Sequence, residues 1–292
     1  MYNLNNILDE QNRPCLIIDT QHGLGNRMRA IGSAAAVARE TNRELIIVWV
    51  PDHHCNCEFT ELFDYQGIVI NEPVQSIASN YCTYYNYMEI EDDGEKGKEI
   101  DTIDDGNIYV RAGEVLNSEY STWDSENIFL KQLKPVEQVQ SLIDSVDVTN
   151  TIGVHVRMEA GKDLDHNTYD SPSNWSDESH RLLHEWREKS HYKFFIRRLN
   201  QIMKEKNNEV SIFLAADMAS VYNVFKCEYK TSLKFLNRTL FTRCENSLKY
   251  ALADTYLLSQ CQLILGSTWS SFSEYACRLS NHDNHEFSGV DF

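Results

Sequence analysis

Three short runs hold side chains whose type and spacing could handle an anion. Gly23-Leu24-Gly25-Asn26-Arg27 places glycines, which let backbone approach a ligand closely, directly before a helical pattern whose first N–H groups would face that ligand. Arg27 and Arg29 are cations at a helix start, where the macrodipole disfavours them, and a bound anion would account for them. The run also reads as a bare turn: Met28 replaces the third glycine of a dinucleotide fingerprint, and Trp49-Val50 stands where that fingerprint needs an acid. In His155-Val156-Arg157 an arginine closes an apolar run, where it could grip a diphosphate and fix positive charge beside a leaving group. Its other reading is a surface ion pair with Glu159 or Asp163. The third run, Ser267-Thr268-Trp269-Ser270-Ser271-Phe272-Ser273-Glu274, offers hydroxyls and helix N-terminal amides to phosphate oxygens, or a plain N-cap with Glu274 spaced to close a capping box. Asp254 suits a nucleobase edge and a surface position equally.

These side chains need strand ends to hold them. The apolar run 15–19, a glycine turn and an Ala-rich helix from Arg27 to about Thr41 form a strand–turn–helix unit, and 44–50 reads as a second, parallel strand. A strand is expected at 107–112, and a helix from Pro135 to about Ser145. The acidic stretch 89–105 reads as a solvated loop. Beyond a polar link at 147–150 the pattern alternates: strand 151–157, a helix N-capped by Ser176 and running to about Lys206, strand 210–216, a helix to about Phe225, a strand near 233–236, a helix through 248–260, strand 262–266 and a last helix from about Ser270. Such alternation predicts parallel sheets with helices on both faces, and ligands bind beyond the carboxyl ends of such strands. The loops after Arg157, Ala216 and Gly266 are therefore where chemistry is expected.

In order along the chain, GLGNR, HVR, FLAAD ending at Asp217, and ALAD with LILGSTWSSFSE resemble the fucosyltransferase superfamily of protein O-fucosyltransferases, α-1,6-fucosyltransferases and nodulation fucosyltransferases. The resemblance implies an α/β fold of GT-B type: two Rossmann-like domains facing a cleft, here 1–148 on the acceptor side and 149–292 on the donor side. It implies inverting transfer of fucose from GDP-fucose to a glycan or protein hydroxyl, with no metal and no other cofactor. Arg157 would meet the diphosphate, His155 and Asp254 the guanine, Ser270, Ser271 and Phe272 the phosphates and fucose, and Asn26 and Arg27 the far wall of the cleft, with Gly23 and Gly25 also donor-binding. Asp217 joins the donor set. Glu159 is the first candidate base, followed by Asp163 and His22. Met158 stands where relatives often carry a second arginine, a role open here to Lys162 or Arg243. Competing readings are a related enzyme using another nucleotide sugar and a non-catalytic nucleotide-sugar or glycan binder. Trp175 and Trp186 could stack on sugar rings or serve helix packing.

Composition sets outer limits. The 292 residues carry 27 basic and 44 acidic side chains, a net charge of −17 that argues against general nucleic-acid binding. Residues 1–150 hold 26 of the acids and only 10 of the bases, so the second half is nearly neutral and better able to admit a dianionic donor. No stretch is long and apolar enough to span a membrane, and the first residues lack the pattern of a secretory leader, so a cytoplasmic location is expected. On the same ground the sequons at Asn174 and Asn237 read as accidental. The eight cysteines include no CxxC pair and read as reduced, structural thiols; His53-His54-Cys55-Asn56-Cys57 has metal-ligand types in crowded spacing.

Overall fold

The computed structural model describes residues 4–158, 176–205 and 210–292. Its contacts divide the chain into two units, 1–136 and 137–292, twelve residues before the boundary expected from the polar link. The difference lies in one helix, Glu137–Asp144, which packs within the second unit.

The first unit contains α1 (Leu4–Asp9), β1 (Cys15–Thr20), α2 (Leu24–Glu40), β2 (Glu44–Val48), β3 (Phe63–Asp64), β4 (Ile68–Ile70), α3 (Gln75–Ala78), β5 (Thr83–Asn86), β6 (Ile108–Ala112), α4 (Trp123–Gln132) and β7 (Lys134–Pro135). Its main sheet has the order β4-β2-β1-β6-β5, every pair parallel. β1 is buried along its whole length, as a central parallel strand covered on both faces must be. The small residues of α2 bring it close to its neighbours: a Cβ on Gly32 would lie 2.9 Å from the Leu130 side chain of α4. Pro135 does not open a helix. It pairs antiparallel with Phe63 in the β3–β7 ladder, and the helix begins at Glu137.

The second unit contains α5 (Glu137–Asp144), β8 (Thr151–Val156), α6 (Asp177–Lys189), α7 (Tyr192–Glu205), β9 (Ser211–Ala216), α8 (Ala219–Tyr229), β10 (Leu233–Lys234), α9 (Glu245–Gln260), β11 (Leu263–Gly266), α10 (Ser271–Leu279) and β12 (His285–Phe287). The sheet order β10-β9-β8-β11-β12 matches the first unit over its first three strands and exchanges the last two, since in the first unit the sheet's last strand, β6, lies beside β1; again all pairs are parallel. Its core joins Ile152, Val154 and Val156 of β8 with Ile212 and Leu214 of β9, Phe195 and Leu199 of α7, and Phe225 of α8.

Ser176 caps α6 as expected, its hydroxyl accepting from Ser179 N at 3.3 Å. The single helix expected from 177 to 206 is instead two. Ser190 ends α6 in a non-helical conformation and bonds Ser288 side chain to side chain at 2.9 Å, a buried contact that overrides the continuing amphipathic pattern. No helix among the described residues is long and apolar enough to cross a membrane.

Candidate active site

In a sheet of this order the chain reverses direction between its first and fourth strands, and the carboxyl ends there leave a crevice for a ligand. In the second unit that point lies between β8, ending at Val156, and β11, ending at Gly266. The side chains singled out above meet there. Ser267 Oγ donates to His155 O at 3.0 Å and accepts from Arg157 N at 2.8 Å, extending the β8–β11 contact one step past the sheet. Ser273, in the first turn of α10, accepts from Ser267 N at 3.0 Å and bonds His155 Nδ1 at 2.6 Å. Phe272 stacks on the His155 imidazole, ring centres 4.4 Å apart. Ser267 and Ser273 are buried braces; Ser270 and Ser271 remain half-buried at the helix start.

Ser270 is the N-cap of α10 but its side chain makes no cap bond. The capping box open to Glu274 does not form: Glu274 Oε1 accepts from Arg278 Nε at 2.8 Å, one turn further along. The first amides of α10 are thus not claimed by a side-chain cap.

Arg157 and Asp217 project from adjacent strand ends and pair at 3.0 Å, with Met158 N 3.5 Å from the other carboxylate oxygen. Asp217 is therefore placed to orient Arg157. Burial, followed by the positive charges of Arg157, Arg187 and Arg238, holds the His155 pKa well below the ordinary imidazole value. His155 is accordingly neutral at pH 7.

Asp254, on α9, is buried and forms an ion pair with Arg238. Arg238 also donates to the Tyr222 hydroxyl at 2.9 Å, which in turn accepts from Ala216 N at the end of β9. Burial pushes the Asp254 carboxyl up to about 6, with Arg238 opposing. Asp254 Oδ1 and Arg238 Nε have no hydrogen-bond partner among the described residues. Neither Arg238 nor Tyr222 was expected. Arg238 stands in an irregular segment whose one visible pattern, Asn237-Arg238-Thr239, points elsewhere; Tyr222 reads as an apolar helix position. Glu159, Lys162, Asp163 and Trp175 lie outside the described residues.

The remaining candidates belong to the first unit. Helix α2 begins at Leu24, so only Gly23 stands before it, while Gly25 and Asn26 are in its first turn. The space a side chain at Gly23 would take is open. Arg27 has a different part from the one its helix-start position implied. It is 1% exposed, donates to His22 O at 2.8 Å and Val50 O at 2.9 Å, pairs with Asp52 at 2.9 Å and lies over the Trp49 ring. Arg29 donates to Gly113 O at 2.9 Å. Both cations tie loops to α2, which accounts for them without an anion. His22 takes a left-handed backbone, φ 66°, and its ring meets His54 edge-on. In the 53–57 run, Asp52 Oδ1 accepts from the amides of His54 and Cys55, and Cys57 O accepts from Trp49 Nε1, so the crowding serves a tight turn.

No family model and no curated protein sequence matches the chain. Solved structures do. The fucosyltransferase NodZ from Bradyrhizobium aligns over 92% of this chain and 94% of its own, with a TM-score of 0.58 at 18% identity. A variant of Arabidopsis thaliana FUT1 in complex with GDP aligns over 95% and 70%, with a TM-score of 0.60 at 14% identity. POFUT1 in complex with GDP aligns over 96% and 99%, with a TM-score of 0.55 at 14% identity. The chain shares the α/β fold of these fucosyltransferases, of GT-B type, as its motifs implied.

Proposed function

We propose that this chain is a glycosyltransferase that moves fucose from GDP-fucose to a hydroxyl of a glycan or protein, with inversion and without a metal. The observation that carries the reading is the meeting of Arg157, His155 and the uncapped start of α10 at the strand crossover of the second sheet, tied together by Ser267 and Ser273. A diphosphate needs cations and amides there, and the uncapped start of α10 adds the amides. The complexes of NodZ, FUT1 and POFUT1 with GDP or GDP-fucose on the same fold support that choice of donor.

In this reading residues 137–292 bind the donor and the first unit serves the acceptor. Arg157, oriented by Asp217, meets the diphosphate with Ser270 and Ser271. Asp254 Oδ1, a buried acceptor, takes hydrogen bonds from the guanine edge beside His155. The acceptor oxygen bonds to C1 of fucose from the face opposite the diphosphate. The C1–O bond breaks with its electron pair leaving on GDP, and the acceptor proton passes to a base, for which Glu159 is the first choice. Arg157 lowers the barrier by matching charge that grows on the leaving oxygen.

Calorimetry against GDP-, UDP- and dTDP-sugars tests the donor, with tight binding expected only for the GDP series. Binding of UDP-sugars with none for GDP would overturn it. Turnover of GDP-fucose, by transfer or slow hydrolysis, should survive excess chelator; loss of turnover with chelator would remove the metal-independent mechanism.

A further inference from the structure

Trp269 combines two features that each oppose stability. Its backbone is left-handed, φ 56°, a region that is costly for a bulky residue, and its side chain is 46% exposed. A tryptophan kept for packing would be buried, and a turn kept only for its shape would hold glycine or asparagine at that φ. The surroundings are built to keep it there. Ser267, two residues before, is fixed to both strand ends, and Thr268 Oγ1 donates to Ser288 O at 2.7 Å. Arg187 Nη1 lies 3.4 Å from Trp269 O. From α6, the Trp186 ring lies nearly parallel to the Trp269 indole with centres 6.5 Å apart, and Lys189 Nζ sits 4.1 Å from the Trp186 ring centre. Trp186 is thus occupied as a brace, and Trp269 offers an open aromatic surface directly before Ser270 and Ser271.

A rigid, half-exposed indole beside polar hydroxyls matches a ligand with one apolar C–H face and a hydroxylated rim, which is a pyranose ring. We propose that Trp269, braced by Trp186, is the stacking platform for a pyranose held at the second unit's strand-end loops, and so a specificity-determining residue. The proposal rests on the glycosyltransferase reading, and the ring belongs either to the donor's fucose or to an acceptor sugar.

The full chain and its Trp269→Ala, Trp269→Phe and Trp269→Gly variants would be titrated with GDP, GDP-fucose and the neutral tetrasaccharides of cellulose, starch and chitin. Each variant should bind GDP within twofold of wild type. Trp269→Ala should lose at least tenfold in affinity for GDP-fucose if the ring is fucose, or for a saccharide that wild type binds if it is an acceptor sugar. Trp269→Phe should recover part of either loss. Glycine adopts this φ freely, so Trp269→Gly gives a folded test should the Ala variant misfold. The proposal fails if Trp269→Ala binds every probe as wild type does, or loses GDP in step with the others. It also fails if wild type gains no affinity from the fucosyl group and binds no saccharide. Failure of wild type to bind GDP would strike the donor reading instead, and Trp269-dependent saccharide binding would survive it.

Discussion

The two sheets order their first three strands alike, differ in the placing of the last two, and end their first strands in opposite ways. In the first unit the crossover point between β1 and β6 is filled by its own charges. Asp19 accepts from Arg111 at 2.9 Å, from the Tyr109 hydroxyl at 2.6 Å and from Gln21 at 2.8 Å, while Arg111 also grips Glu91 with two of its nitrogens. In the second unit the corresponding point holds a neutral His155, two serine hydroxyls and Arg157 paired with Asp217. Divided where the contacts divide, residues 1–136 carry 23 acids and 10 bases, and residues 137–292 carry 21 and 17. One crossover is closed by internal neutralisation; the other combines the Arg157–Asp217 pair with a helix start that has no side-chain cap. A crossover beside the first strand marks where a site can be, and the side chains gathered there distinguish the two.

The largest expected effect separates these roles outright. Arg111→Ala leaves Asp19, itself buried, and Glu91 without their cation, and breaking such a pair costs about 3–5 kcal/mol of folding stability. Denaturant unfolding should show that loss, while GDP affinity in the folded fraction stays unchanged. Arg157→Ala should do the reverse. A charge-assisted contact is worth about 1.5–3 kcal/mol, so GDP binding should weaken by about 10- to 150-fold, with a smaller change in stability. Unaltered GDP affinity in Arg157→Ala would end the comparison, because the second crossover would then be as inert as the first.

Much of this contrast was legible in the amino-acid pattern. The apolar runs of β1, β2, β8, β9 and β11 are long enough to betray buried parallel strands, and His155, Arg157 and Ser270 mark their ends. What escaped was set by tertiary contact. β4, β5 and β12 are short strands at sheet edges, three or four residues each, too short for a periodic pattern to show them. Arg27 carries no sign in its neighbours that Asp52 will neutralise it. The acidic stretch reads as solvated, yet Glu91 is drawn in by Arg111, twenty residues away, while the exposed Asp93 accepts from Asn86. Arg238 reaches Asp254 over sixteen positions, a separation without local periodicity.

That pair supplies a smaller effect whose sign can be worked out. The folded Asp254 pKa, about 6, lies above its unfolded value, so the folded chain binds a proton that the unfolded chain has released. This group's contribution to stability is greatest below about pH 4 and declines as pH rises through about 6. Guanine recognition requires the opposite, because only the carboxylate accepts from two donors. GDP affinity should therefore rise severalfold between pH 5 and 7 as stability from this group falls. Asp254→Asn should flatten both curves. Parallel rather than opposed pH trends would remove Asp254 from the nucleotide site.

The smallest effect tests whether Asp217 acts by charge or by position. Its carboxylate neutralises Arg157 in part, which opposes phosphate binding, but it also orients the guanidinium, which favours it. Asp217→Asn keeps an oxygen for the Arg157 N–H and removes the opposing charge, so the two changes offset and GDP affinity should stay within about twofold. Asp217→Ala removes the tether as well, and releasing a long side chain to solvent costs about 1 kcal/mol of order, or roughly fivefold in affinity. No such split is expected for Asp19. There both Asn and Ala should lower stability and leave GDP binding alone, since at the first crossover the carboxylate serves only the fold.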